Sequence, residues 1–469
     1  MARQFRIEPK LDAGDVVVGT EGAGTRLLIG TAAEPGAQKL WFNASKEFVS
    51  LVIGKRGSGK SHTLGAMIEA LATTAAETSI SSLATRRAVL LIDPMGNFWP
   101  TAIPVSDDGP PKVRRQWQAL REFGCEVVPV SAQIWLPAGF EQPTDAQGIR
   151  RFTLQVSDLD AQDWADLLRT NLVRDPQGIA LSEVYERVTE LGWTDGKNKF
   201  HAPKADYSLR DLIDCLTQMR DDNSSDHATQ TLRALARTLE GFARMPLFAG
   251  PGTPLRDLLI EGSVAVLMLP LRVGHDLRRV LTRVLIRRIL RERELASQIK
   301  QRLDVERLTD AARDTLLEAL RQRIPKSVLA IDEAQELLGD EGGEARQALE
   351  DFCLLGRNYG LSLILATQRP TTGAISPKVR SQVDTCLVHR LLTQDDIDNT
   401  YKNLLSAYPR EVRAGDRSLQ YADLVRSLEI GQALVSSSSM TNGTGNQVPS
   451  RLIVVNVRPR VTVHGGEVD

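Results

Sequence analysis

The chain of 469 residues reads as an α/β fold built on a mostly parallel sheet. Three observations predict this class. Short apolar, β-branched runs recur at Phe48–Ile53, Ala88–Ile92, Ser263–Leu269, Val328–Ile331 and Leu361–Ala366. Runs of that kind suit strands buried on both faces of a parallel sheet. Segments of helical periodicity separate them, and several runs close on glycine, acid or amide. In open α/β sheets ligands gather at such carboxyl ends.

Composition bounds the function. Hydrophobic residues make up 42% and charged residues 25%, the balance of an ordinary globular protein. The net charge of −1 excludes a uniformly basic nucleic-acid binder and leaves room for a local basic channel. No apolar run approaches the length of a membrane span, so no membrane partner is expected. Met1-Ala-Arg-Gln-Phe-Arg lacks an apolar signal core, so secretion is not expected. Cys125, Cys215, Cys353 and Cys386 are scattered, with no C-x-x-C pair and no metal-ligand spacing. Reduced thiols of this kind fit a cytoplasmic location.

Taken in order, residues 1–47 form a small N-terminal β-rich lobe. Asp15–Gly19 and Arg26–Gly30 are short strands set off by glycine and proline. Residues 48–135 are the first part of the α/β core. Gly54 to Ser61 fit G-x-x-x-x-G-K-[ST], the phosphate-binding loop. Gly54, Gly57 and Gly59 let the backbone turn tightly and present N–H groups to phosphate oxygens. Lys60 reaches the β- and γ-phosphates, and the Ser61 hydroxyl ligates Mg²⁺. Leu64, Met67, Ile68 and Leu71 follow at one-face helical spacing, so the loop sits between strand and helix. The set expected to hold nucleotide is Gly54, Gly57, Ser58, Gly59, Lys60, Ser61 and His62.

Ala72–Thr85 reads as a helix end and loop. Asp93 ends the second strand, as a site residue or as an Asx turn. Val113–Phe123 looks helical, with Lys112, Arg114 and Arg115 on a solvated face. Glu126–Val130 reads as another strand. Residues 136–258 are a helical insertion. One helix there is opened by Ser157, and others span Leu181–Leu191, Leu209–Met219 and Thr229–Phe242. Asp195-Gly196 and Asp221–Ser225 are loop signals.

Residues 259–430 return to α/β. In the helix Asp276–Ser297, Arg279, Arg283 and Arg287 share one face. We expect a solvent face or subunit contact there over a phosphate-tracking stripe. Residues 302–323 form a second charged helix. Val328–Ile331 closes on Asp332-Glu333, the pattern of a Walker B strand. Asp332 holds Mg²⁺ through its water shell, and Glu333 polarises the attacking water as general base. Gln368 ends the next strand, as a γ-phosphate or water sensor or as a bland strand end. Arg357 follows the helix Gly343–Leu355. It either caps that helix or enters a neighbour's site as an arginine finger. Residues 431–469 form a C-terminal β arm. Its two strands, Gly431–Val435 and Arg451–Val457, flank a Ser/Gly/Asn-rich loop at 436–450.

Taken together, Gly54–Ser61, Ile331-Asp-Glu-Ala-Gln335, Leu355-Gly-Arg-Asn-Tyr-Gly360 and Ala366-Thr-Gln-Arg-Pro370 resemble the HerA-like branch of the HerA–FtsK ATPases. Ile375–Thr385, Val388-His-Arg390-Leu and Val457-Arg-Pro-Arg460 add to the likeness, which spans most of 48–465. The resemblance implies a RecA-like P-loop NTPase core carrying a helical insertion. It also implies ATP and Mg²⁺ as cofactors, a homo-hexameric ring, and movement on double-stranded DNA. A nuclease or sirtuin-like effector is the implied partner, in DNA processing or anti-phage defence. Lys60, Glu333, Gln368 and Arg357 take the catalytic roles, Arg357 in trans, and Ser61 and Asp332 the metal. The C-terminal arm is expected to reach the adjacent subunit. Asn97 departs from the family's acidic residue. Residues 1–47 look like a reduced form of its N-terminal barrel. A nucleotide-controlled ring that recruits an effector, with little motor activity, is the alternative.

Overall fold

The computed structural model describes residues 3–466 apart from 9, 12–13, 20–24, 37, 75–78, 84, 142–147, 222–225, 339–342, 372–374, 444 and 449–450. The loop expected at Asp221–Ser225 lies, beyond Asp221, outside the described residues. So do parts of the loops expected at 72–85 and 436–450. The chain divides into two compact units. The first comprises residues 1–134, 255–271 and 289–469, and the second 135–254 and 272–288.

The first unit is organised by one sheet. At its centre six strands run parallel: Thr385–Val388, Val49–Ile53, Leu361–Thr367, Ser327–Ile331, Ala88–Asp93 and Ser263–Met268, in that spatial order. Every residue in them is buried, as the continuous apolar runs require of strands covered on both faces. The helix Lys60–Leu71 lies against Arg26–Ala32, Val49–Ile53, Ala88–Asp93 and Leu361–Thr367. Registers align Ile53 with Thr367, and Ile331 with both Leu365 and Ile92. The loop after Ile53, the pair Asp332-Glu333, Gln368 and Asp93 therefore emerge along one edge.

Beyond Thr385–Val388 the sheet turns antiparallel, through Gln432–Ser437, Ile453–Val457, Arg26–Ala32 and Lys39–Asn43. Val16–Gly19 and Met440–Asn442 complete that edge. The N-terminal strands form where expected; Lys39–Asn43 pairs with both, and the other partner of each, Met440–Asn442 or Ile453–Val457, comes from the far end of the chain. The C-terminal arm, expected to reach the adjacent subunit, pairs with its own chain through Ile453–Val457. Fully buried Glu69 accepts from Arg460 Nε at 2.8 Å, Arg458 Nη1 at 3.4 Å and Val461 N at 3.0 Å. Two guanidiniums around one carboxylate clamp the arm to the helix that follows the P-loop.

Several local expectations are corrected. Residues 126–130 are not a strand; pairing starts at Ser131, after Pro129, which has no N–H to give. The stretch 436–450, expected as a loop, contains the end of Gln432–Ser437 and the strand Met440–Asn442. The helix expected to end at Ser297 runs His275–Val305, and the next begins only at Asp310. There Thr309 accepts from Ala312 N and sets the start.

The second unit is mostly helical: Ala161–Leu168, Pro176–Glu186, Leu209–Asp221 and Thr229–Ala243. Its core gathers on Trp164, which is fully buried between Phe242 and Phe248 and donates to Tyr207 Oη at 2.8 Å. Asp160, not Ser157, starts the first helix. Asp160 accepts from Asp163 N at 2.8 Å, and Asp163 accepts from Asp160 N at 2.9 Å. Arg283 and Arg287 are turned inward as well. Arg283 is 2% exposed and pairs with Asp163 and Asp166, while Arg287 pairs with Asp160 and Asp163. That part of the expected solvent face is an ion-pair layer, buried at Arg283 and Asp163 and half-exposed at Arg287 and Asp160, because Asp160, Asp163 and Asp166 match the basic face.

Candidate functional site

The strand Val49–Ile53 delivers Gly54 to the sheet edge, where its N–H donates to Thr367 O at 3.2 Å. A Cβ on Gly54 would overlap Ser58 Oγ and stand 2.8 Å from His389 Cβ, so only glycine fits. The Ser58 hydroxyl donates to Lys55 O at 2.7 Å and closes the loop. Gly59 has a φ of 109°, in the left-handed region, and leads directly into the helix. The first N–H groups of that helix face the loop they continue from, the arrangement that binds anions.

Lys60 is the centre of the charge cluster. It is 4% exposed, and its ammonium donates to Asp332 Oδ1 at 3.0 Å and Glu333 Oε1 at 2.7 Å. The Ser61 hydroxyl donates to Asp332 Oδ2 at 3.1 Å. Gln368 Nε2 donates to Glu333 Oε1 at 2.7 Å. Residues that stand 272 and 308 positions beyond Lys60 in sequence thus close on it, because parallel strands deliver all of them to one edge.

Burial pushes the Lys60 ammonium down, and its two carboxylate partners outweigh burial, holding it above its ordinary value. Burial raises Asp332, with Lys60 opposing. For Glu333 burial also pushes up, but Lys60 and the bonds from Gln335 and Gln368 leave it below the usual carboxylate range. Glu333 also has a φ of 46°, left-handed for a residue with a side chain. Strain of this kind costs about 1–3 kcal/mol and collects at functional sites.

Sequence reasoning assigned no role to Gln335. Its Nε2 donates to Glu333 Oε2 at 2.7 Å, and its Oε1 accepts from the Thr367 hydroxyl at 2.7 Å and from Gln368 N at 3.4 Å. It ties the acidic pair to the neighbouring strand end. The signal was an amide two residues after Glu333, where a strand has just ended.

The other expected residues divide. Asp93 resolves as the Asx turn. Oδ1 accepts from Met95 N and Gly96 N at 3.1 and 2.8 Å, and Oδ2 from Phe98 N at 2.8 Å. Burial, and then the charge of Asp332, push its carboxyl up to about 6. Asn97 sits half-buried within that turn. The His62 side chain turns away from the cluster and donates from Nε2 to Arg458 O at 2.9 Å. Burial lowers that imidazole to about 4, so it stays neutral. Of His62 only the backbone N–H, in the first turn of the helix, remains for a phosphate. Arg357 lies in the turn Gly356–Tyr359, at the starts of the strands. Its Nη2 donates to Gln382 O and Asp384 Oδ2, each at 2.7 Å. It does not bond the carbonyls of its own helix end through these contacts, and it stands at the opposite edge from Lys60.

A buried histidine was also missed. His389 Nδ1 donates to Gln432 O at 2.8 Å, so Nε2 accepts the Thr63 hydroxyl at 2.9 Å. Burial holds its ring down to about 4. Fully enclosed beneath Gly54 and Gly59, it seats the phosphate loop on the C-terminal strand.

Residues 49–292, more than half of the chain, match the family described as "Helicase HerA, central domain". The fold is shared with VirB4 of Thermoanaerobacter pseudethanolicus, at 14% identity over 95% of this chain and 98% of that one, with a TM-score of 0.53. The plasmid coupling protein TrwB in complex with ADP and Mg²⁺ aligns at 13% identity over 95% of this chain and 99% of that one, with a TM-score of 0.44. No curated protein matches the chain in sequence.

Proposed function

The chain belongs to the HerA helicase central-domain family, and from that premise we propose that it is an ATP-hydrolysing motor acting on double-stranded DNA. The observation that carries the reading is Lys60 held between Asp332 and Glu333, with Gln368 on Glu333. A cation held by two carboxylates is one for which phosphate oxygens compete with those carboxylates. Triphosphate in the loop draws the Lys60 ammonium toward its oxygens. Glu333 then loses one of the contacts that depress its pKa, and its carboxylate becomes a stronger base for the attacking water. Gln368 and Gln335 keep that carboxylate aimed while Lys60 moves.

The residues present fit Mg²⁺. Ser61 Oγ and Asp332 are hard oxygen donors within one hydrogen bond of each other. Among the described residues no group of three or more His, Cys, Asp or Glu could hold a metal unaided. An ion held by Ser61 and Asp332 would take the rest of its shell from water and phosphate oxygens. When bound, it supplies positive charge to the β- and γ-phosphate oxygens.

We assign the working form to a homo-hexamer in the cytoplasm, partnered by a nuclease or sirtuin-like effector in DNA processing or anti-phage defence. Arg357 supports an assembly in which one subunit completes another's site, because it lies at the edge of the sheet remote from its own Lys60. Among the described residues no helix is long and apolar enough to cross a membrane. A second reading, an effector-recruiting ring with little motor activity, draws on the ion pairs that occupy Arg283 and Arg287. The deciding measurement is ATP turnover with and without double-stranded DNA, at two salt concentrations. A motor gives DNA-stimulated turnover and sequence-independent binding that weakens steeply with salt. Turnover indifferent to DNA, with no DNA binding at low salt, favours the ring scaffold.

A further inference from the structure

We propose that Leu392 and Ile430 form an apolar clamp for the purine base of the bound nucleotide. The inference rests on the ATPase reading and deepens it, since phosphate contacts alone accept any nucleoside triphosphate. Its starting point is a direction. The terminal phosphate faces Glu333 and Gln368, on the side of the P-loop strand where Leu361–Thr367 and Ser327–Ile331 lie. An extended nucleotide therefore leaves the loop on the other side, over the ends of Thr385–Val388 and Gln432–Ser437.

Two large apolar side chains stand there in the open. Leu392 is 58% exposed and Ile430 is 64% exposed. Each is tied closely to the phosphate loop. Two residues before Leu392, the Arg390 carbonyl accepts from Lys55 N at 3.4 Å. Four residues after it, Asp396 pairs with the Lys55 ammonium at 2.7 Å. Next to Ile430, Gly431 N donates to Ser58 O at 3.5 Å, and a Cβ on Gly59 would stand 3.2 Å from that nitrogen. The two strands pair antiparallel with Val388 opposite Leu434. Leu392 thus follows the end of one strand by four residues, and Ile430 precedes the start of the other by two, in the turn that Gln432 N closes on Glu429 O at 3.0 Å.

The backbone on both sides is fixed while the side chains are left in water. Leu391 is fully buried beside Leu392, and the His389 ring is bonded to Gln432 O just behind Ile430. Exposed branched side chains on a rigid frame lose little freedom on binding a flat ring. The face of a purine is apolar and gains from covering them, and such a clamp grips the ring without reading its edge groups. It therefore favours a purine over a bare phosphate chain, with weak preference between adenine and guanine.

The test compares ATP with inorganic tripolyphosphate, both with Mg²⁺, by calorimetric titration of the full chain. The proteins are wild type, Leu392→Ser and Ile430→Ser. Both positions are exposed, so the variants keep the fold, and melting curves check it. Each truncation removes on the order of 60 Å² of apolar contact, worth about tenfold in affinity. The expected result is ATP binding about tenfold weaker in each variant, with tripolyphosphate affinity within twofold of wild type. Unchanged ATP affinity in both variants overturns the clamp and leaves the ATPase reading standing. Equal weakening of both ligands also overturns it, since the residues then serve the phosphate loop. Altered assembly with normal ATP affinity assigns the two side chains to a contact between copies, against the proposal. A wild-type chain that binds neither ligand removes the ATPase reading and the clamp with it.

Discussion

Replacing Glu333 with glutamine tests its proposed role as base apart from the rest of the site. The wild-type carboxylate accepts three bonds of 2.7 Å, from Lys60 and Gln368 on Oε1 and from Gln335 on Oε2. An amide has the same shape but only one accepting oxygen. If that oxygen keeps Lys60 and Gln368, its NH₂ meets the NH₂ of Gln335. Gln335 cannot turn over freely, because its own oxygen already accepts from Thr367 and Gln368. One bond of the three is therefore lost, and the Lys60 bond loses its charge assistance. Charge-assisted bonds contribute about 1.5–3 kcal/mol. Lys60 retains Asp332 at 3.0 Å, so the pocket stays assembled. The larger effect is chemical: an amide takes no proton from water, and a positioned general base contributes about 10²–10⁴ in rate. Nucleotide binding should hold or tighten, because a negative charge facing the phosphates is gone. Single-turnover hydrolysis with MgATP, beside titration with a fluorescent ATP analogue, reads both quantities. Turnover within about tenfold of wild type, with normal binding, would refute Glu333 as the base and the account of Lys60 release with it.

Three further outcomes are expected. Lys60→Ala should abolish turnover, since the ammonium that stabilises the transferring phosphoryl group is gone; a purified variant hydrolysing at the wild-type rate places the active site elsewhere. Glu69→Ala should cost about 3–5 kcal/mol in a denaturant titration, because it strands two buried guanidiniums. Burial pushes the Glu69 carboxyl up, but Arg460 and Arg458 outweigh it and hold it below its ordinary 4.5. Its contribution is thus complete above that pH and lost as pH falls through the folded value, so the gap between wild type and variant should narrow in acid. Arg357→Ala should lower turnover by about 10³–10⁵ with nucleotide binding intact if the residue acts in trans. Confirmed mixed assemblies with Lys60→Ala should then recover part of the activity. A fully active Arg357→Ala, merely less stable through loss of the 2.7 Å pair with Asp384, would make the residue a brace for the sheet.

Some of this site was legible in the amino-acid order and some was not, and the division follows distance along the chain. Gly54–Ser61, the strand before it and the helix after it are set by neighbouring residues, through glycine freedom and apolar spacing, so local pattern suffices. The same holds for Asp332-Glu333 closing an apolar run. Resemblance of several such motifs extended the reading to Gln368 and Arg357. Asp93 illustrates the limit: its sequence allowed a site residue or a turn, and only the three N–H groups folding back onto its carboxylate decided it. His62 follows the motif without a gap, yet its ring is claimed by Arg458, which lies 396 residues further on. Arg283 and Arg287 share a helical face in either reading, and the acids at 158–166 that neutralise them come from another helix. The docking of the C-terminal arm on Glu69, and the placing of Gln432 behind His389, depend on strands paired across most of the chain. Periodicity states which face of an element is apolar. It does not state what covers that face, because that choice is made by long-range packing, where burial and charge pairing are satisfied together.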